Sequence, residues 1–305
     1  MLQKFNAANK DILVNINGEL IHRNDAGVSP FDSVVQGGDA VWEGLRVYAG
    51  RVYRLTPHLD RLVASAKALG FARIPGHDEL REQLRRTLEA NKMYDGVHVR
   101  LTLTRGIKVT SGMDPRLNTS GPTLIIIAEH KPPVYGSSGV RLITSGVRRI
   151  PPDCVDQKIH SCNLINSILA KIQANAAGVD DALMLDTRGY VAETNATHVF
   201  IVTNGELHTP TTGSCPEGIT RASVLDLCAR HGLTAHVRDL TITECYSCDE
   251  MFCTGTMGEL VPVLELDGRP VGDGAAGELT DKLRRLYQEL TAASGEPLVS
   301  GEFDG

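Results

Sequence analysis

No cysteine precedes Cys154, and the chain's cysteines number seven, an odd count. An odd, one-sided set argues against a disulfide framework. Cys245 and Cys248 have CxxC spacing, but no second pair stands at zinc-finger distance. Reduced core thiols are therefore expected, and no metal site. Long runs of one charge sign are missing and the net charge is -6, so nothing calls for nucleic acid or an acidic membrane surface. No apolar run approaches the length of a membrane span. The first residues, Met1-Leu2-Gln3-Lys4-Phe5-Asn6, hold no apolar signal core. A cytoplasmic protein is expected. Internal repeats and low-complexity tracts are also lacking.

What is present fits a globular protein. A length of 305 residues favours two domains, and an apolar fraction of 42% allows a substantial core. Lys131-Pro132-Pro133-Val134-Tyr135-Gly136-Ser137-Ser138-Gly139 is the best linker. It divides a smaller α/β domain, 1–133, from a larger strand-rich domain, 137–305. Asn17-Gly18 between two apolar runs predicts a hairpin. Gln36 to Arg46 carries glycines that let backbone approach closely, or forms a plain loop-to-helix junction. Thr56-Pro57 predicts a helix start with threonine as N-cap, and Glu79 to Asn91 reads as another helix. Val97, Val99, Leu101 and Leu103 alternate on one strand face, and His98 and Arg100 share the other. Gly106 to Gly121 is a polar loop long enough to be a flap. The tail from Ala292 is polar and expected to fray.

The chemistry centres on Lys158 to Glu193. Lys158 offers an amine that can form an imine with a carbonyl, and Glu193 offers a fixed negative charge. Enzymes that use pyridoxal 5'-phosphate need both groups. Pro216-Glu217-Gly218-Ile219-Thr220-Arg221 opens a helix whose amides suit a phosphate. The small-residue loop Thr254-Gly255-Thr256-Met257-Gly258 is a second place where amides can meet an anion.

In this order these motifs resemble the class IV aminotransferases, the fold-type IV pyridoxal-phosphate family. The resemblance runs from Asn15 to about Leu290. It implies an α/β (α+β) fold of two domains, with the cofactor site between them. It also implies a cofactor-phosphate role for Arg61, in His58-Leu59-Asp60-Arg61-Leu62. Gly218, Ile219 and Thr220 would hold the same phosphate, with Thr256 adding a hydroxyl. Glu193 would hold the pyridine nitrogen, and the Met257 amide would face the substrate carboxylate. Trp42, in Trp42-Glu43-Gly44, would border the substrate. The family lysine stands three or four residues before an asparagine, here Asn163, and that count puts His160 in the lysine slot. Lys158 lies two residues earlier, and on a strand it would share a face with His160. Lys158 is taken as the catalytic amine and His160 as its neighbour. Arg100 would bind a substrate carboxylate, with His98 on the same face.

The expected activity moves an amino group between an amino acid, branched-chain favoured, and a 2-oxo acid. Alternatives are a D-amino-acid aminotransferase, an aminodeoxychorismate lyase, or a non-transaminating member with His160 in the lysine slot. A homodimer is expected by the same resemblance.

Overall fold

The computed structural model describes residues 3–135 and 138–300. Gly136 and Ser137 of the expected linker lie outside the described residues, as does the tail beyond Ser300. The chain divides into two compact units. The first contains 3–132, 159–163 and 291–300, and the second contains 133–158 and 164–290.

The first unit begins with β1 (Leu13–Ile16) and β2 (Glu19–His22). Asn17 and Gly18 between them have φ of 53° and 88°, the two left-handed residues of a tight hairpin turn. There follow α1 (Ser33–Gly37), β3 (Ala40–Tyr48), β4 (Arg51–Val52), α2 (Leu55–Ala68), α3 (His77–Ala90), β5 (Val97–Thr104) and β6 (Thr123–His130). They build an antiparallel sheet in the order β4-β3-β5-β6-β1-β2, with Glu296–Pro297 added beside β4. Val41, Leu45 and Val47 of β3 and the alternate residues of β5 face Leu59 and Leu62 of α2 and Leu80, Leu84 and Leu88 of α3. Each such fully buried leucine contributes about 1.5–3 kcal/mol over its exposed state. Gly106 starts the long loop at φ 106°, and a Cβ there would lie 1.8 Å from the Gly121 carbonyl oxygen. Only glycine closes the loop this tightly.

Three expectations change in this unit. The Trp42-Glu43-Gly44 stretch is the middle of strand β3, not a loop or a helix entry. Helix α2 starts one residue before Thr56, and its N-cap is Arg54 in the left-handed region without a side-chain cap bond. The Thr56 amide donates instead to Glu296 Oε1 at 2.7 Å. Finally, the chain end does not fray at once: Leu298 and Val299 pack into this core.

The second unit runs β7 (Val140–Thr144), α4 (Ile165–Ala176), β8 (Asp181–Leu185), β9 (Val191–Thr194), β10 (His198–Thr203) and β11 (Glu206–Thr209). It continues with α5 (Ile219–Arg230), β12 (Ala235–Val237), α6 (Ile242–Ser247), β13 (Glu250–Gly255), β14 (Glu259–Leu266), β15 (Arg269–Pro270) and α7 (Glu278–Ala293). Sheet order is β12-β11-β10-β13-β14-β7-β8-β9, with β15 on β14. Parallel pairs need a crossover, and α4 joins β7 to β8 while α5 joins β11 to β12. Helix α4 buries Ala170 and Ala174 against Ala182 and Met184. Cys245, Cys248 and Cys253 are buried in the larger core, and all seven cysteines are free. Burial pushes the Cys248 and Cys253 thiols up to about 12, which makes them inert packing groups. Residues 157–159 form a turn and bend, and His160 is not in a strand. The pleat that would have aimed Lys158 and His160 to one side is therefore absent.

Candidate active site

In the first unit a buried charge cluster forms around Glu43. The alternation Val41, Glu43, Leu45, Val47 on β3 carries Glu43 to the core side of the sheet, where it is fully buried. His58 and Arg61, one helical turn apart on α2, meet it there. Arg61 grips the carboxylate with both ends of its fork: Nε donates to Oε1 and Nη2 to Oε2, each at 2.7 Å. His58 Nδ1 lies 2.6 Å from Oε2. Burial lowers the His58 pKa despite the carboxylate, so the ring is neutral and donates its Nδ1–H. Burial raises the Glu43 carboxyl, but Arg61 and His160 outweigh it and hold the group well below the usual carboxylate range.

His160 joins this cluster. Its Nδ1–H donates to the Trp42 carbonyl at 2.5 Å and stands 3.4 Å from Glu43 Oε1. The ring stacks on Trp42 with centroids 4.5 Å apart. The Arg100 guanidinium covers Trp42 at 4.1 Å, and its Nη2 lies 3.9 Å from Cys162 Sγ. His98 is two residues along β5 from Arg100, and its Nε2 is buried without a hydrogen-bond partner among the described residues. Burial, then Lys131, Arg46 and Arg100, lowers its pKa to about 3. Arg61, Trp42, His98, Arg100 and His160 thus all lie in the first unit, on its sheet, on α2 or in the segment 159–163.

The other sequence-derived candidates belong to the second unit. Glu193 sits near the end of β9 with 7% exposure, and Arg149 Nη2 donates to its Oε1 at 2.8 Å. Gly218 is the N-cap of α5 and provides no side-chain cap, so Ile219 and Thr220 open the helix without a side-chain cap bond. A Cβ on Gly218 would lie 2.2 Å from the His198 ring, so a larger residue there would have to displace that ring. Thr256 and Met257 form the turn after β13, and the Met257 carbonyl accepts from the Val134 amide. Two residues before Thr256, the Thr254 hydroxyl is buried with no partner among the described residues. Lys158 is 54% exposed, and its Nζ pairs with Glu217 Oε1 at 3.0 Å. The hydrogen bond and charge of Glu217 raise the Lys158 pKa, so the amine is held protonated.

Sequence reasoning missed Glu43 as the hub, and with it His58, Arg149, His198 and Cys215. Glu43 had a usable signal, because it interrupts an apolar i, i+2 series. The last three had none, since their partners come from distant segments.

This geometry suits a phosphorylated pyridine cofactor at two of its ends. The uncapped start of α5 fits a phosphate, and the buried Glu193 carboxylate fits a protonated ring nitrogen. Its aldehyde end would require Lys158 to exchange its ion pair with Glu217 for the cofactor.

The sequence model of the family described as "Amino-transferase class IV" matches residues 40–266. A relative from Arabidopsis thaliana, "Branched-chain-amino-acid aminotransferase-like protein 2", is 50% identical over 291 residues, 95% of this chain. The chain spans about half the length of that relative, 52%. The "Putative branched-chain-amino-acid aminotransferase" of Methanocaldococcus jannaschii is 41% identical over 92% of this chain and 97% of its own length. Among solved structures, the T.th. branched-chain amino acid aminotransferase with pyridoxamine 5'-phosphate superimposes with a TM-score of 0.87. It shares 33% identity over 93% of this chain and 95% of that one.

Proposed function

Because this chain belongs to the class IV aminotransferases and has their fold-type IV architecture, we propose that it is a pyridoxal 5'-phosphate-dependent aminotransferase. It would move an amino group between an amino acid, branched-chain favoured, and a 2-oxo acid. The observation that carries this reading is the match to the Methanocaldococcus jannaschii relative, named a putative branched-chain-amino-acid aminotransferase, along nearly its whole length.

When bound, the cofactor supplies an electron-withdrawing ring next to the carbon that loses a proton. Glu193 would hold the ring nitrogen's proton, and Arg149 Nη2, 2.8 Å from Oε1, orients the carboxylate. The Gly218, Ile219 and Thr220 start of α5 would donate to the phosphate, with the Thr256 hydroxyl. By its motif, Arg61 is assigned to the cofactor phosphate. Lys158 Nζ would be the amine for the aldehyde, and to serve it would have to leave Glu217 and lose a proton; a free lysine amine is suited to moving a proton at the substrate carbon. Arg100 would bind a substrate carboxylate through its fork, with His98 and Trp42 on the same sheet. By its motif, the Met257 amide is assigned to a substrate carboxylate. His160 serves as a hydrogen-bonding neighbour.

The test is absorbance on adding pyridoxal phosphate, followed by amino donors run against 2-oxo acids. A visible-edge band and transfer from branched-chain donors support the reading. Pyruvate release from aminodeoxychorismate, or a preference for D-donors, points to the alternatives. A non-transaminating protein is the second reading, favoured by His160 in the lysine slot and by Lys158's exposure and ion pair. Cofactor binding without transfer from any donor identifies it.

The domain division at Lys131 to Gly139 belongs to this proposal, with 159–163 and 291–300 packed in the first unit. So does a homodimer. Its support is the exposed stripe Ile165, Ile168, Leu169 and Ile172 on α4, each 47–63% exposed. Sedimentation of an active monomer would exclude it. A cytoplasmic location is likewise proposed, supported by seven free thiols, which persist in reducing compartments. No helix among the described residues is long and apolar enough to cross a membrane.

A further inference from the structure

Glu193, His198 and Cys215 come from three different segments and converge in the second unit. All three are buried, and one potential ligand atom of each lies within 4.8 Å of the other two. His198 Nδ1 is 3.8 Å from Glu193 Oε2 and 4.0 Å from Cys215 Sγ. Arg149 takes the other carboxylate oxygen, Oε1, so the oxygen turned toward His198 is the one that completes the trio. We propose that these three side chains form a binding site for a borderline-soft divalent cation, zinc above all, exclusive of the cofactor's ring nitrogen.

A thiolate, an imidazole nitrogen and a carboxylate oxygen are the donor types zinc takes in tetrahedral sites. Bonds of about 2.0–2.3 Å at tetrahedral angles need donors roughly 3.2–3.7 Å apart, so closure takes side-chain movements of about 1 Å. The His198 ring lies close over Gly218, where a Cβ would come within 2.2 Å of it. A further polar group stands on the same face. Thr254 is opposite His198 in the β10–β13 register, and its buried hydroxyl has no partner among the described residues. Directly opposed residues of an antiparallel pair project to one side, so this hydroxyl can bond a metal-bound water. Binding releases the Cys215 thiol proton to solvent, and no redox partner is needed. Charge also balances: carboxylate and thiolate offset the cation, and Arg149 remains as one positive charge, which moderates affinity.

The exclusive part of the proposal rests on the proposed cofactor role of Glu193, since one carboxylate cannot serve the ring nitrogen and the metal together. The direct part does not. Cobalt(II) is the probe, added to the full chain stripped of cofactor. The expected result is one equivalent bound, with a thiolate-to-cobalt absorption band that zinc displaces. Cys215→Ser should remove the band, and His198→Asn should weaken binding at least tenfold. Cys245→Ser and Cys154→Ser should leave it intact. Circular dichroism checks folding, and Cys215→Ala replaces any serine variant that does not fold. No band at millimolar cobalt, or a band unchanged in Cys215→Ser, overturns the site. Pyridoxal phosphate should suppress the band in the wild type. A band that survives with cofactor demonstrably bound overturns the exclusion. A cobalt band in a chain that binds no cofactor supports the site while refuting the proposed function.

Discussion

Replacing Arg61 with alanine leaves the Glu43 carboxylate buried without its guanidinium. Glu43 is fully buried and Arg61 only 16% exposed, with two hydrogen bonds of 2.7 Å between them. Removing one partner of such a pair costs about 3–5 kcal/mol, because the remaining charge stays desolvated. His58 and His160 relieve part of this, which places the expected loss near the lower end. Glu43→Gln/Arg61→Ala removes both charges and should lose about 2 kcal/mol or less, a coupling of at least about 1 kcal/mol. Arg61→Lys keeps the charge but not the fork, and should fall between. The assay is denaturant unfolding followed by the chain's single tryptophan, Trp42, which stacks on His160 in the same unit. A pH dependence follows with a definite sign. In the wild type the Glu43 pKa is depressed, so its contribution is present above the ordinary carboxylate pKa and lost as pH falls through the lower folded value. Without Arg61, burial dominates and raises the pKa. That variant's penalty grows as pH rises through the ordinary value, so the gap to wild type widens from about pH 4 to about pH 7. An Arg61→Ala protein within about 1 kcal/mol of wild type at neutral pH, with no change in pH slope, would refute this reasoning.

Three further outcomes are expected. Borohydride reduction with bound cofactor should place the label on Lys158. Peptide mapping should find it lost in Lys158→Ala and kept in His160→Ala, and label on another lysine removes Lys158 from its proposed role. Glu193→Gln should keep cofactor binding but slow turnover by on the order of 10² or more, because a neutral amide no longer holds the ring proton; wild-type turnover would contradict it. His98 has a depressed folded pKa of about 3 against 6.5, so stability should fall as pH drops below about 6.5. The loss by about pH 5 is on the order of 1–2 kcal/mol. His98→Gln should abolish that slope, as read from Trp42 fluorescence at the two pH values.

Much of the local structure was legible because it follows from short-range rules. The alternation from Val97 to Leu103 gave β5 and the faces of its residues. Asn17-Gly18 gave a hairpin because few residues adopt two successive positive φ values. The Gly218-Ile219-Thr220 helix start was readable from glycine before an apolar period. Helix α2 was located correctly but capped wrongly, since the Glu296 carboxylate that binds the Thr56 amide comes from the far end of the chain. A local cause hid the strand in Trp42-Glu43-Gly44, where a charged residue and a glycine break the β pattern.

The sequence by itself determined the family, through motifs whose residue types and order are written along the chain. Tertiary structure decided which charges meet. The resemblance gave Arg61 a phosphate role, and packing of α2 on β3 turned it onto a buried carboxylate. Lys158 and His160 are two residues apart, yet a turn separates them: one pairs with Glu217 and the other stacks on Trp42. Glu193, His198 and Cys215 meet only because β9, β10 and the segment leading into α5 converge. Periodicity encodes which face a side chain takes. The partner waiting on that face is set by long-range packing, where the desolvation of a charge must be offset by whatever group the other segments bring.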